Sequence, residues 1–310
     1  MKTAAIMGFG VMGQAMGRKL LEAGITLRVF DNSPRALATA EAMGIRPSRN
    51  AAEACSDADP VAMLLPNPAA VDACMTSENG VLRGARPGTV VVDMSTVDPA
   101  STRRMAALAR QAGLSYLDAP VLGRPGGVGH WALPVGGDAQ ALERCRDVLE
   151  LVAAHLIPVG ESGAGNVIKL LNQLMFNAIN AMTAEMMAVA EHIGVSRKLL
   201  YETIVKSGAG TVSNLFIELG RKLADESYDT PTFTVDLLCK DLDLAVAMAE
   251  STGALPLLGR TIQSINTMAK AQGLGNKDTS IMWKTLLPLW PSRVAGGGSP
   301  NGVTIPIVDA

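Results

Sequence analysis

The stretch Thr3-Ala4-Ala5-Ile6-Met7-Gly8-Phe9-Gly10-Val11-Met12-Gly13 decides how this chain is read. An apolar run of strand length ends in three glycines at GxGxxG spacing. Residues 14–23 continue with helical character, and Leu27-Arg28-Val29-Phe30-Asp31 makes a second strand. A β-α-β opening with these glycines is a dinucleotide fingerprint. Gly8 permits the tight turn, Gly10 lets backbone approach a pyrophosphate, and Gly13 lets the helix pack close on the strand. Phe9, Val11 and Met12 complete the loop, whose helix N-terminus faces the phosphate charge. A lone GxGxxG is weak evidence, but one between strand and helix with an acid about 20 residues on is specific. Asp31 sits where a ribose diol needs an acceptor, and a carboxylate there repels a 2′-phosphate. Asn32, Ser33 and Pro34 follow with no arginine among them, so NAD is the expected cofactor. Arg35, one turn into the next helix, keeps NADP open; a solvated surface charge is its plainer reading.

Working outward, 310 residues suffice for two domains with proper cores. Twenty-seven basic and twenty-nine acidic residues give a net charge of −2 with no block of like charge, which argues against nucleic acid or anionic membrane as partners. Cys55, Cys74, Cys145 and Cys239 lie far apart, in neither disulfide-frame nor zinc spacing. They read as small buried hydrophobes in a reducing compartment, and no metal site is expected. The first strand starts at once, so no targeting segment is expected and the location is read as cytoplasmic. The apolar stretch 167–190 is interrupted by Lys169, Asn172, Gln173, Asn177, Asn180 and Glu185, against a membrane span.

Further strand candidates at 61–65, 89–93, 115–118, 133–135 and 156–159 alternate with helical segments. This predicts an α/β fold: a doubly wound, mostly parallel Rossmann sheet over residues 1–162. Ligands of such sheets lie beyond the carboxyl ends of the strands. Leu65-Pro66-Asn67-Pro68, Asp93-Met94-Ser95-Thr96 and Asp118-Ala119-Pro120-Val121 should therefore surround the nicotinamide. From residue 163 strand signals cease. Helical runs at 166–193, 197–207, 212–224, 234–252 and 257–272 predict an all-α domain over 163–295. Its first helix, about 28 residues and about 42 Å long, would link the domains. Residues 296–310 read as a glycine-hinged, flexible tail with an apolar end.

The long helix carries a polar stripe, with Lys169, Gln173 and Asn177 at i, i+4 and i+8 and Asn166 and Asn172 beside it. Burying an ammonium is costly without partners, and desolvation draws a lysine pKa toward neutrality, which makes Lys169 a candidate acid/base. On spacing alone, a lysine snorkelling at a domain boundary is the stronger reading. Lys240 reads plainly as the i, i+4 partner of Asp236 on an exposed helix face. The Gly/Pro-rich segment Asp118 to Ala132, with Arg124, His130 and Trp131, suits a substrate loop. Arg124 offers a fork for a carboxylate or another oxyanion. His130 is a rival acid/base, though a lone loop histidine is more often solvated.

The segments GFGVMGQAM, DMSTVDPAS, DAPVLGRPGGVG, GAGNVIKLLNQ and FTVDLLCKDLDLA resemble, in order and spacing, the β-hydroxyacid dehydrogenase family over roughly residues 3–290. That family includes 3-hydroxyisobutyrate, tartronate semialdehyde and 4-hydroxybutyrate dehydrogenases. The resemblance implies an NAD(P)-dependent enzyme acting on a CH–OH group. Lys169 falls on the catalytic lysine, Ser95 beside the nicotinamide with Thr96, and Lys240 in the cofactor and substrate pocket. Two departures stand out. Leu122-Gly123-Arg124 replaces the usual Ser-Gly-Gly, which removes a hydroxyl and supplies a cation, and Gln173 replaces an asparagine. The implied reaction interconverts a small anionic hydroxy acid with its semialdehyde or ketone. Gln173 would orient Lys169, and Leu122, Gly123, Arg124 and Lys240 would line the anion's end. A sulfonated or longer semialdehyde is an alternative substrate. Imine reductases resemble this fold but typically carry aspartate or tyrosine at the lysine, and non-catalytic dinucleotide-binding members lack it. A homodimer or homotetramer is expected from helices with more apolar surface than one small domain covers.

Overall fold

The computed structural model describes residues 2–208, 213–228 and 230–289. Seven strands, β1 (Thr3–Met7), β2 (Thr26–Phe30), β3 (Val61–Met63), β4 (Val90–Asp93), β5 (Ser115–Asp118), β6 (Trp131–Gly136) and β7 (Ala153–Gly160), form one sheet in the order β2-β1-β3-β4-β5-β6-β7. Between them lie α1 (Val11–Glu22), α2 (Pro34–Ala42), α3 (Ala51–Cys55), α4 (Pro68–Thr76), α5 (Val81–Gly84), α6 (Pro99–Gln111) and α7 (Ala139–Leu149). All neighbours run parallel except β5 and β6, which are antiparallel. The chain leaves β1 for one side of the sheet and β3 for the other, so the topological switch point, where such folds bind nucleotides, opens between them.

Both faces of the sheet are covered, and the central strands are therefore apolar throughout rather than alternating. Successive residues still part to opposite faces. Ile6, Val92 and Leu117 join one buried cluster with Leu20, Trp131 and Leu149. Met7, Val91 and Tyr116 join the other with Met63 and Met105. Register aligns Met7 with Met63, Met63 with Asp93, and Asp93 with Asp118. The loops after these four strands consequently emerge side by side along one edge.

Helices α8 (Ala164–Ile193), α9 (Arg197–Ser207), α10 (Asn214–Ala224), α11 (Val235–Ser251), α12 (Leu257–Ala271) and the short α13 (Trp283–Leu286) make up the C-terminal part. The chain forms two compact units, one of residues 1–173 with 247–254 and one of residues 174–246 with 255–310. The sheet ends at Gly160, and the unit that holds it continues into the start of α8. The second unit has its own core, in which Met187, Phe216, Leu223, Val235, Met282 and Trp283 are buried together. Helix α8 begins two residues earlier than its hydrophobic period suggests, because acceptors for its first N–H groups come from β5. The expected tail, 296–310, lies outside the described residues.

Candidate active site

The fingerprint loop is built as its glycines demand. Gly8 has φ of +92°, and a Cβ there would enter the Leu64 carbonyl; at Gly13 it would enter the Gly8 carbonyl. Gly10 caps α1 without a side-chain hydrogen bond and has open space where a Cβ would stand, while Val11 behind it is exposed. The first-turn N–H groups of α1 are thus left for an anion, and the loop fits a pyrophosphate. Asp31, at the end of β2, accepts from the Phe9 N–H at 2.6 Å with one oxygen and from the Ser33 N–H at 2.7 Å with the other. Those bonds orient the carboxylate, and its remaining lone pairs suit a ribose diol. Asn32 and Arg35 are exposed, and Ser33 caps α2.

The next loops are pinned by a buried network. The Leu65 N–H donates to Ser95 Oγ at 2.9 Å, the Ser95 N–H to Asp93 Oδ1 at 3.0 Å, and the Tyr116 hydroxyl to Asp93 Oδ2 at 2.7 Å. Burial pushes the Asp93 carboxyl up to about 6, against the pull of the Ser95 and Tyr116 bonds. Burial and the neighbouring Asp93 raise the Tyr116 phenol. Ser95 therefore holds two strand ends together with its hydroxyl, while Pro66 is exposed and Thr96 half-buried beside it.

Past β5 the chain carries the substrate-loop candidates. Leu122 and Ala132 exchange backbone hydrogen bonds at 2.9 and 3.2 Å, and the Trp131 indole donates to the Arg124 carbonyl at 2.8 Å. A Cβ on Gly123 would lie 2.5 Å from the same indole. Trp131 thus sets the path of residues 122–124, a role its position in the sequence does not reveal. Lys169 reaches this loop: its Nζ donates to the Val121 carbonyl at 2.9 Å. It is half-buried, with Gln173 buried one turn further along α8. His130 is exposed.

Asn166, one turn before Lys169, is fully buried. It accepts from the Val97 N–H at 3.2 Å, donates to Thr102 Oγ1 at 3.2 Å, and donates its own N–H to Asp118 Oδ2 at 2.9 Å. The fingerprint loop, Asp31, Leu65, Ser95, Thr96, residues 122–124, Lys169 and Gln173 all belong to the first unit. Lys240 belongs to the second, on α11, where it forms an ion pair with Asp241. Asp236 on the same helix meets Lys270 at 3.6 Å. Burial raises the four thiols to about 11 or 12, which keeps them protonated near neutral pH. Among the described residues, no cluster of His, Cys, Asp or Glu could hold a metal ion.

A switch-point sheet with this fingerprint, joined to a lysine on the first helix of an all-α region, defines a nicotinamide-dinucleotide-dependent oxidoreductase. Residues 3–160 match the NAD binding domain of 6-phosphogluconate dehydrogenase, and residues 163–286 match the family described as NAD-binding of NADP-dependent 3-hydroxyisobutyrate dehydrogenase. The chain belongs to the β-hydroxyacid dehydrogenase family. It is 33% identical over 297 residues to an NAD-dependent L-serine dehydrogenase of Pseudomonas aeruginosa, covering 93% of this chain and 99% of that one. It is 32% identical to the 3-sulfolactaldehyde reductase of Escherichia coli, covering 90% and 94%. A crystal structure of 3-hydroxyisobutyrate dehydrogenase from Salmonella typhimurium gives a TM-score of 0.85 at 29% identity, covering 92% and 99%.

Proposed function

We propose that this protein interconverts a small anionic β-hydroxy acid and its semialdehyde, with Lys169 as the acid/base. The observation that carries this reading is the Lys169 Nζ bond to Val121, which holds the amine beside the loop that bears Arg124. The bound dinucleotide supplies or accepts the hydride at its nicotinamide. Lys169 takes the hydroxyl proton in oxidation and returns it to the carbonyl oxygen in reduction. Gln173 orients the amine and the substrate oxygen. Gly123 and Arg124 hold the anionic end, with Leu122 closing the side where a hydroxyl would otherwise stand. The loops at Leu65–Pro66 and Ser95–Thr96 would flank a bound nicotinamide, and Asp31 would favour NAD. Imine reduction is the weaker reading because Lys169 is retained.

Arg124 favours a second substrate class, a sulfonated semialdehyde, and the similarity to a 3-sulfolactaldehyde reductase supports it. One panel tests both: hydroxyisobutyrate, serine and sulfolactaldehyde, with NAD(H) and NADP(H), followed by absorbance at the nicotinamide band. Turnover of any of them upholds the dehydrogenase reading, and preference for the sulfonate selects the second class. No turnover of any member would leave dinucleotide binding without this chemistry.

Assembly into a dimer or larger particle and a cytoplasmic location complete the proposal. An exposed apolar stripe on α8 supports the first. The four buried free thiols suit a reducing compartment, and no helix among the described residues is long and apolar enough to cross a membrane.

A further inference from the structure

Lys169 is set at its height by something outside its own helix. Asp118 closes β5, is fully buried, and faces the start of α8 with both oxygens. Oδ1 accepts the Gly163 N–H at 2.8 Å and Oδ2 the Asn166 N–H at 2.9 Å. The fit leaves no slack. A Cβ on Gly136 would lie 2.5 Å from Asp118 Oδ1, and one on Gly165 would lie 2.5 Å from the carbonyls of Asp118 and Pro134. Three residues after Asp118 comes Val121, whose carbonyl receives the Lys169 ammonium. The same short segment therefore grips α8 twice, at its first turn through a carboxylate and at Lys169 through a carbonyl. Asn166 adds a third tie, to the Val97 N–H and Thr102.

A neutral side chain would satisfy one orphan N–H of a helix start at far lower desolvation cost than a buried acid. A bidentate carboxylate does more, because it fixes translation and rotation of the first turn together. We propose that Asp118 is a positioning residue for Lys169, holding the start of α8 so that Nζ lies at the substrate loop. This rests on Lys169 being the acid/base. A displacement of about 1 Å at a reacting group can cost on the order of a hundredfold in rate, so the expected effect falls on kcat.

The test is a double-mutant cycle on the full-length protein, with kcat and both KM values measured on the best substrate of the panel. Asp118→Asn keeps the shape but sets an amide N–H against one of the two backbone donors. It should lower kcat about tenfold to a hundredfold, leave the NADH KM within about twofold, and change kcat less than about twofold when added to Lys169→Ala. An equal loss in both backgrounds would show that Asp118 supports the fold at large and would overturn the inference. Normal kcat in Lys169→Ala alone would overturn the acid/base reading first and this inference with it, a result distinct from additivity. If Asp118→Asn does not fold, Gly165→Ala keeps the acid itself but displaces the helix start from it, since its Cβ would meet the Asp118 and Pro134 carbonyls and Asp118 Oδ2. Its non-additivity with Lys169→Ala would support the assignment, and additivity would overturn it.

Discussion

At the scale of single residues, two side chains carry separate consequences. The Lys169 Nζ is positioned by the bond it donates to the Val121 carbonyl. Lys169→Ala should lower kcat by about 10²–10⁴-fold, the usual range for general acid–base assistance, while NADH affinity by fluorescence titration stays nearly unchanged. Lys169→Arg should fail almost as badly, since guanidinium does not release its proton near neutral pH. Near-normal turnover in the arginine variant would reduce Lys169 to a positive charge that holds substrate. Asp31 makes the second case. Its two backbone bonds aim the carboxylate, so NAD should be favoured over NADP by about 1–3 kcal/mol, roughly fivefold to 150-fold in catalytic efficiency. Comparable efficiencies would mean that Arg35 and Asn32 override it.

At the scale of elements, the opening β-α-β was legible because most of its requirements are local. Gly13, Asp31 and the positive φ of Gly8 each answer a constraint within the motif, and only the Leu64 carbonyl that crowds Gly8 comes from outside it. The start of α8 was not legible, because its cap is a carboxylate 45 residues away in sequence. The same holds for Trp131, which shapes residues 122–124 only because β6 turns antiparallel beside β5. The β4 end illustrates the energetic side. Asp93 is raised from 3.8 to about 6 chiefly by burial, so as pH rises the unfolded chain releases this proton first. Stability present near pH 4 is lost between about pH 4 and 6, and a deficit of about 3 kcal/mol persists above. Asp93→Asn keeps an acceptor for the Ser95 N–H and offers its amide to the Tyr116 hydroxyl. Thermal melts should show the variant gaining on the wild type at pH 8 and not at pH 4. An equal difference at both values would mean that the Asp93 carboxyl titrates alike in the folded and unfolded protein.

At the scale of the whole molecule, the change from strand to helix periodicity near residue 163 was plain from the sequence, whereas the face on which α8 carries its polar stripe was not. Gln173, Asn177 and Asn180 are buried, and Asn177 bonds Asn266 of α12 at 3.2 Å. The exposed side instead carries Ile168, Leu171, Met175, Met182, Val189 and Ile193, with Met175 and Met182 more than 60% exposed. Ile168, Met175, Met182 and Val189 recur at heptad spacing, the pattern by which one helix seats its side chains between those of another. A helix that buries amides and exposes a heptad of apolar side chains suits a second copy of the same helix, since a two-fold contact uses the same patch twice. Light scattering at micromolar concentration should therefore show at least two chains per particle. Removing a buried methionine from an interface costs about 1.5–3 kcal/mol, and symmetry doubles the count. Met175→Lys combined with Met182→Lys should shift the protein toward monomer while each chain keeps its NADH affinity, because the fingerprint loop lies within one chain. A wild type already monomeric at that concentration would sink the assembly, and an unchanged particle in the double variant would move the contact off this face of α8.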